Sequence, residues 1–146
     1  MKKQLTNNRY VAVGDLVADC YYEDGRLLKI DGGASKFNVL CNLAARGNST
    51  YVIYNCGNDI YGQIAIKSLQ TLGVDTSFVK QIGKATRAYH LIVENDRHIS
   101  IKNCPICGKE TWYEPSLVNF DNDLENLKKD DIVILDGLKP ENLPML

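Results

Sequence analysis

The sequence predicts an α/β fold, in which the strands of a sheet alternate with helices along the chain. Short apolar runs typical of buried strands alternate with longer stretches that have helical periodicity. The helical stretches end at glycines, which are common where a helix stops. Hydrophobic residues make up 45% of the 146 residues, enough to bury the core of one ordinary domain. Together these observations favour a single α/β domain.

The first half of the chain contains three strand signals and one helix. Residues 10–14 are an apolar run that ends in glycine and predicts a buried strand. Residues 15–30 alternate in polarity around a Glu-Asp-Gly turn, which predicts a hairpin. Residues 36–46 predict a helix that Gly47 ends. The β-branched and aromatic run at 50–56 predicts the next strand.

The following segment pairs a second helix with a second hairpin. Apolar residues recur on one side of 60–72, which predicts an amphipathic helix ended by Gly73. A short strand is expected at 78–79. The β-rich runs 88–94 and 98–102 are joined by a turn-like link and predict a hairpin.

The last part is less regular. Residues 104–112 are predicted to be irregular. Residues 115–127 are acidic and are predicted to be weakly helical. Residues 131–136 predict a parallel strand buried on both faces, because they are almost continuously apolar. The hairpins do not fit simple strand–helix alternation, so we expect them to form a small second sheet.

Charge and composition exclude several classes of protein. The net charge is −1, which gives no electrostatic reason to expect nucleic acid or an anionic membrane as a partner. No apolar run is long enough to span a bilayer, and the charged start lacks the apolar core of a signal peptide. The expected compartment is therefore the cytosol. Five cysteines there indicate free thiols or a metal rather than disulfides.

A run of glycines is the most informative motif. Gly32-Gly33 lets backbone approach a ligand with no Cβ in the way, and amides exposed by such a turn can hold oxygens. Asn38 follows, then Gly47, then the pattern Gly-x-Asp-x-x-Gly at 57–62. This order resembles the N-terminal signature of the ribokinase-like (PfkB-type) carbohydrate kinases. The gap from Gly33 to Asn38 is one residue longer than usual in that family.

The resemblance implies a specific architecture and reaction. It implies the ribokinase-like three-layer α/β/α sandwich with a small β lid, whose strands lie near 16–31 and 87–102. Residues 1–146 would be the N-terminal, sugar-binding half of the kinase domain, with the C-terminal catalytic and nucleotide-binding part absent. The intact enzyme would use ATP and magnesium to phosphorylate a sugar or nucleoside hydroxyl. The resemblance also implies a homodimer that forms through the lid strands.

No catalytic residue is assigned. The family's catalytic signature is a Gly-x-Gly-Asp turn at a helix N-terminus, and no Gly-x-Gly-Asp occurs in this sequence. We therefore expect this chain alone to be inactive as a kinase.

Four residues are candidates for substrate binding. The resemblance implies that Asp19 binds sugar hydroxyls, and a carboxylate can accept from two adjacent hydroxyls; the alternative is a solvated strand-end aspartate. Gly32 and Gly33 would present backbone to the sugar, and the Asn38 amide can both donate and accept. The alternative is a glycine turn with an asparagine helix cap. The extra residue places Lys36 or Phe37 in space that a small residue normally occupies.

Three further residues have structural alternatives. Asp59 is interpreted mainly as the cap of the second helix. Thr86 and Arg87 resemble the family's threonine just before the second lid strand. Arg87 could meet a substrate phosphate or acid, or it could be an exposed strand arginine.

Cys104-Pro105-Ile106-Cys107-Gly108 resembles a zinc knuckle, in which two thiolates share one tight turn. Cys104 and Cys107 are therefore candidate zinc ligands. Zinc needs four ligands, and the nearest further candidates by lid topology are Cys20, His90 and His98. The alternatives are a turn without metal or a redox pair. Trp112 and Tyr113 follow, and would stack on a sugar ring or pack within the lid.

Two function classes compete. The first is a truncated PfkB-type carbohydrate kinase with a small-molecule sugar as substrate. The second is a non-catalytic zinc-binding or interaction module derived from that fold. A cysteine-based redox sensor is a third hypothesis, which rests on the Cys-x-x-Cys pattern alone.

Overall fold

Two β-sheets organise the molecule. The computed structural model describes residues 8–83, 85–95, 97–108 and 124–135. The elements in chain order are β1 (Arg9–Asp15), β2 (Val17–Glu23), β3 (Arg26–Gly33), α1 (Ser35–Ala45), β4 (Ser49–Gly57), α2 (Ile60–Thr71), β5 (Lys80–Ile82), β6 (Arg87–Glu94), β7 (Arg97–Ile101) and β8 (Ile132–Ile134), with a 3-10 turn at Leu124–Asn126. A main sheet has the strand order β5-β4-β1-β8 and a small sheet has the order β3-β2-β6-β7.

The main sheet is parallel between every pair of neighbouring strands, and helices α1 and α2 pack on one face. Ala12, Val52, Tyr54, Leu40 and Leu69 are members of the core on this side. The other face packs against residues of the 78 and 124–127 segments. The predicted α/β class is confirmed. Strand β4 is buried from its second residue to its last, as its β-branched and aromatic sequence predicts.

The two hairpins join in a single small sheet, as expected. β2 pairs antiparallel with β3 and parallel with β6, and β6 pairs antiparallel with β7. Strand β2 shows why the sequence alternates. Ala18, Cys20 and Tyr22 are buried, whereas Asp19 and Tyr21 between them are partly exposed on the opposite face.

Both helices end where the sequence predicts. Gly47 and Gly73 follow α1 and α2 with φ of 80° and 82°, a conformation that glycine adopts without a steric penalty. Neither of the two described helices combines the length and the apolarity needed to cross a membrane.

Two predictions about the main sheet need correction. The strand expected at 78–79 begins at Lys80, because Phe78 lies in the preceding turn and packs edge-on against Tyr51. Strand β8 is parallel as predicted, but it is not buried on both faces, and Ile132 is 40% exposed. Among the described residues β1 is its only neighbour, so β8 lies at the edge of the described part of the sheet. The helix expected at 115–127 lies mostly outside the described residues, and its described end contains the 3-10 turn at Leu124–Asn126.

A charged clamp ties β8 to the sheet. The Arg9 guanidinium donates to both Asp131 carboxylate oxygens, at 2.8 and 2.7 Å. It also lies 4.4 Å from the Tyr51 ring centre, and the Tyr51 hydroxyl donates to the same carboxylate. Partial burial opposes ionisation of Asp131, but the bonds from Arg9, the Lys128 amide and Tyr51 outweigh it and lower its pKa. The last described strand is therefore held by a satisfied ion pair.

Candidate functional site

A cleft of about 380 Å³ lies where the small sheet meets the start of α1. The small sheet contributes Asp19, Tyr21 and Asp31, and α1 contributes Asn38 and Asn42. Gly32 and Phe37 line the cleft between them. Three of the four predicted substrate-binding residues, Asp19, Gly32 and Asn38, thus line one cavity. The fourth, Gly33, lies directly against Asp19.

The two carboxylates come together through strand register. Asp19 and Asp31 are direct partners in the antiparallel pairing of β2 with β3, so they project from the same face of the sheet. Burial raises the pKa of Asp19, the neighbouring Asp31 carboxylate raises it further, and Lys29 opposes both effects. Lys29 forms an exposed ion pair with Asp31 at 3.4 Å and stacks its ammonium 4.5 Å from the Tyr21 ring centre. Asp19 is therefore held in a place that disfavours its charged form.

Sequence reasoning missed Asp31 and Tyr21. Neither belongs to the glycine signature, and their position at the cleft depends on which residues of β3 oppose β2. The available signal was alternation along the hairpin, since residues at 19 and 21 share one face of a strand. The register that adds Asp31 could not be read from the turn alone, because a bulge lies between Tyr21 and Tyr22.

The paired glycines are required by close packing. A Cβ on Gly33 would lie 2.2 Å from the Asp19 carboxylate, and one on Gly32 would lie 2.3 Å from the Phe37 ring. Both contacts are shorter than any that carbon atoms tolerate. The Gly32 amide donates to the Ser68 hydroxyl of α2 at 3.2 Å. The pair therefore lets β3 run close past Asp19 and Phe37, and a side chain at either position would force one of these two residues to shift.

Helix α1 starts earlier than the asparagine suggests. Its N-cap residue is Ala34, which has φ of 86° and makes no side-chain capping bond. Asn38 lies inside the first turn, where its backbone N–H donates to the Ala34 carbonyl at 3.2 Å. Its side chain is exposed at the cleft. The interpretation of Asn38 as a helix cap is wrong. Its side chain instead lines the cleft.

The extra residue after Gly33 is accommodated inside the protein. Lys36 is only 8% exposed; its ammonium lies against the space where a Cβ on Gly14 would stand, and 5.8 Å from the Tyr54 ring centre. Phe37 is buried beneath Gly32. The cleft floor under the glycine pair is consequently aromatic.

The Gly-x-Asp-x-x-Gly motif forms a structural joint between the two sheets. Asp59 caps α2 by accepting from the Gly62 amide at 2.8 Å, which confirms the cap interpretation. The Asp59 carboxylate also accepts from the Thr86 amide at 2.8 Å and the Thr86 hydroxyl at 2.7 Å. That hydroxyl accepts from the Gly57 amide at 2.8 Å. Thr86 therefore links the end of β4 and the start of α2 to the start of β6.

The electrostatics of Asp59 are opposite to those of Asp19. Partial burial opposes ionisation of Asp59, but the bonds from Gly62 and Thr86 outweigh it and lower its pKa. A Cβ on Gly62 would lie 2.4 Å from the Gly57 carbonyl oxygen, which explains the second glycine of the motif. Arg87, next to Thr86, is half-buried and stacks 4.9 Å from the Tyr89 ring centre. It is not among the residues that line the cleft.

The cysteine motif lies at the far end of β7. Residues 105–107 form a turn, and the Gly108 amide donates to the Cys104 carbonyl at 2.8 Å. Cys20 and His90 are buried in the sheet face below. The Tyr22 hydroxyl lies between this buried face and the cysteine turn, at 3.0 Å from His90 Nδ1 and 3.9 Å from the Cys104 sulfur.

The zinc prediction for Cys104 and Cys107 is not supported. Over the described residues, no three His, Cys, Asp or Glu side chains are grouped so that they could hold a metal ion. His98 projects from the opposite face of the sheet, where it packs edge-on against Tyr21 at 5.4 Å. His90 directs Nδ1 at Tyr22, and burial lowers its pKa. Trp112 and Tyr113 lie outside the described residues.

Comparison with known proteins identifies the family and the fold. The model of the pfkB family of carbohydrate kinases matches residues 8–145. Fructokinase from Escherichia coli is 40% identical over 70 residues, which are 47% of this chain and 22% of that protein.

Solved structures show the same fold. A PfkB family carbohydrate kinase from Listeria grayi superposes with a TM-score of 0.60 at 19% identity, over 88% of this chain and 41% of that one. Fructokinase from Vibrio cholerae, solved with fructose, ADP and calcium, gives a TM-score of 0.52 at 22% identity, over 62% of this chain and 29% of that one. The chain thus spans less than half the length of each of these relatives. Since the family model covers almost the whole sequence, the chain belongs to the pfkB family of carbohydrate kinases.

Proposed function

We propose that this chain forms the acceptor-binding part of an ATP-dependent carbohydrate kinase, and that its acceptor is an uncharged sugar. One observation carries the proposal: Asp19 and Asp31 face the same cleft as the Asn38 amide, next to a glycine pair that admits no side chain. A carboxylate accepts from neighbouring hydroxyls, and an amide both donates and accepts, so this set suits a polyol.

The charge of the cleft restricts the class of sugar that can bind as acceptor. Among the described residues that line it, two are aspartates and none is a lysine or arginine. The field of this cleft opposes a sugar acid or a sugar phosphate. An uncharged sugar gains instead, because its hydroxyls can donate to the Asp19 carboxylate, whose charged form burial disfavours. Similarity to fructokinases supports fructose as the first acceptor to test.

We do not assign the phosphoryl-transfer step to this chain. ATP supplies the phosphoryl group and magnesium neutralises phosphate charge in reactions of this type. The sequence contains no Gly-x-Gly-Asp, the turn that the family resemblance associates with the catalytic base. We therefore assign acceptor binding and orientation to this chain, and expect no turnover from the 146 residues alone.

Self-association is part of the proposal. Strands β3 and β7 are the outer strands of the small sheet and carry exposed Leu27, Leu28 and Ile99. Outer strands with free backbone groups and apolar side chains favour pairing with a second chain. We propose a homodimer through these strands. Light scattering should give twice the monomer mass, and Leu28→Lys should shift the protein towards the monomer. A wild-type monomer at high concentration would contradict the dimer.

Acceptor binding is tested directly on this chain. Fructose and gluconate are titrated into ¹⁵N-labelled protein, and affinity is followed from the amide shifts of residues around the cleft. We expect fructose to bind and Asp19→Asn to weaken it by about tenfold or more, since a hydrogen bond to a charged group contributes about 1.5–3 kcal/mol. Asp24→Asn is the matched control, because Asp24 lies in the exposed hairpin turn. Preferred binding of gluconate, or equal affinity in both variants, would overturn the assignment.

Turnover is tested separately. The chain is incubated with ATP, magnesium and a panel of sugars, and sugar phosphate is measured against a mock purification. Activity above that background would show that a catalytic base and a nucleotide site exist in these residues, contrary to the proposal.

A further inference from the structure

The Cys-x-x-Cys turn after β7 is not used by the proposed kinase function. It lies beyond the buried face of the small sheet, whereas the sugar cleft opens from the other face. Two hydrogen bonds close it: the Gly108 amide donates to the Cys104 carbonyl at 2.8 Å, and the Asn103 side-chain amide donates to the Gly108 carbonyl at 2.9 Å. Gly108 has φ of 70°, which glycine adopts freely. The turn is therefore preorganised without a metal.

The two cysteines lie three positions apart on this closed turn. The Tyr22 hydroxyl lies 3.9 Å from the Cys104 sulfur. Donors from Cys107, Ile106 and Tyr22 favour the charged form of the Cys104 thiol. Burial opposes ionisation of Cys104, but these donors outweigh it and lower its pKa. Cys107 is exposed and Cys104 is half-buried.

We propose that Cys104 and Cys107 form a thiol–disulfide exchange site that reacts with low-molecular-weight disulfides such as glutathione disulfide. The Cys104 thiolate attacks one sulfur of the disulfide, forms a mixed disulfide and releases one glutathione thiolate. Cys107 then loses its proton, attacks the Cys104 sulfur and releases the second glutathione thiolate. Two protein thiols are oxidised to one intramolecular disulfide, and one glutathione disulfide is reduced to two glutathione thiols.

The other three cysteines provide an internal contrast. Burial is the largest effect on each of Cys20, Cys41 and Cys56, and it raises the pKa of each to about 11. A thiol that stays protonated is a poor nucleophile. Reaction is therefore expected at the turn and not at these three positions.

Tyr22 is a positioning residue for this site. Its hydroxyl lies between the Cys104 sulfur and His90 Nδ1, and its ring is buried among Cys20 and Ala88. Removing the hydroxyl takes one donor from the Cys104 thiolate and leaves the turn itself intact. The Tyr22→Phe variant should move the pH–rate profile of Cys104 alkylation to higher pH, an effect that loss of packing alone does not produce.

The experiment uses the full chain and glutathione disulfide at neutral pH, with peptide mass spectrometry as the readout. Wild-type protein should form a disulfide between Cys104 and Cys107. Cys107→Ser should accumulate glutathione on Cys104, about tenfold faster than Cys104→Ser accumulates it on Cys107. Cys41→Ser is the matched control and should react as wild type does. Failure to form the 104–107 disulfide, or equal rates in the two turn variants, would overturn the proposal.

The readout is independent of the proposed kinase function. It needs neither sugar nor ATP, so it can succeed when fructose fails to bind. Where a serine variant is poorly folded by circular dichroism, the rate of alkylation of each cysteine in wild-type protein decides instead. Cys104 must then react fastest of the five at neutral pH, and a faster Cys20, Cys41 or Cys56 would contradict the assignment.

Discussion

Asp19 and Asp59 are both partly buried aspartates, but their surroundings shift their pKa values in opposite directions. Asp59 accepts hydrogen bonds from the Gly62 amide and from the amide and hydroxyl of Thr86, and its pKa is lowered. Asp19 faces a second carboxylate across β2 and β3, and its pKa is raised. Folding stabilises one charge and disfavours the other. Asp59 builds the joint between the sheets, whereas no described residue donates a hydrogen bond to Asp19, which we propose as the ligand-binding carboxylate.

Removing the satisfied carboxylate should have the largest effect on stability. Asp59→Ala removes the cap of α2 and leaves the Thr86 donors without their acceptor. We expect a loss of about 2–4 kcal/mol in the free energy of unfolding, from a lost cap and unsatisfied buried donors. Urea denaturation measures it. Asp130→Ala, on the exposed surface, should change the free energy by less than about 0.5 kcal/mol.

Equal free energies of unfolding for Asp59→Ala and Asp130→Ala would contradict this prediction. They would mean that the joint between the sheets is held by packing alone, and that the hydrogen bonds of Asp59 contribute nothing net.

Asp31, the second carboxylate of the cleft, should contribute to fructose binding, but less than Asp19 does. Asp31 already has partners in Lys29 and the Ser68 hydroxyl, at 3.4 and 3.1 Å. We expect Asp31→Asn to weaken fructose binding by about threefold to tenfold, against tenfold or more for Asp19→Asn, as for a neutral hydrogen bond of about 1 kcal/mol. Titration of both variants by NMR ranks them. The reverse order would place the sugar nearer α2.

The two aspartates should also give opposite pH dependences. A raised folded pKa means that the Asp19 contribution is fully present below its unfolded pKa near 3.8 and is lost as the pH rises through the higher folded value. A lowered folded pKa means that the Asp59 contribution is present above about 3.8 and is lost as the pH falls. Asp19→Asn should therefore raise stability at neutral pH, where Asp59→Asn lowers it.

Denaturation of both variants at neutral pH and near pH 3 tests this. The difference between Asp19→Asn and wild type should shrink in acid, and so should the difference for Asp59→Asn. A destabilised Asp19→Asn at neutral pH would show that Asp19 has a structural partner, and the contrast between the two sites would be lost.

Local sequence patterns predicted much of this arrangement. Helix ends at Gly47 and Gly73, the cap at Asp59 and the buried strand β4 depend on neighbouring residues, so the sequence shows them directly. The glycine signature and the strand before it also predicted Asp19, Gly32 and Asn38 as candidates, and these three residues line one cleft. These features follow from backbone sterics, helix capping and strand burial, which act over a few residues.

Features that depend on distant pairing were missed or misassigned. Asp31 enters the cleft only through its register with Asp19. The helix begins at Ser35 behind Ala34, whose positive φ no local pattern indicates. The zinc prediction grouped His98 with the cysteines, although it projects from the other face of the small sheet. The edge position of β8 likewise depends on which strands pair, and not on its own apolar sequence.

No described residue donates a hydrogen bond to Asp19, and we propose that a sugar supplies the missing donors. The most direct test is to follow the ¹³C shift of the Asp19 carboxyl through an acid titration, with and without saturating fructose, using Asp59 as the internal reference. We predict that the pKa of Asp19 lies above 3.8 in the free protein and falls when fructose binds, because donated hydroxyls favour the charged form. The pKa of Asp59 should lie below 3.8 and stay unchanged. An Asp19 pKa that starts below 3.8, or that fructose does not move, would contradict the account.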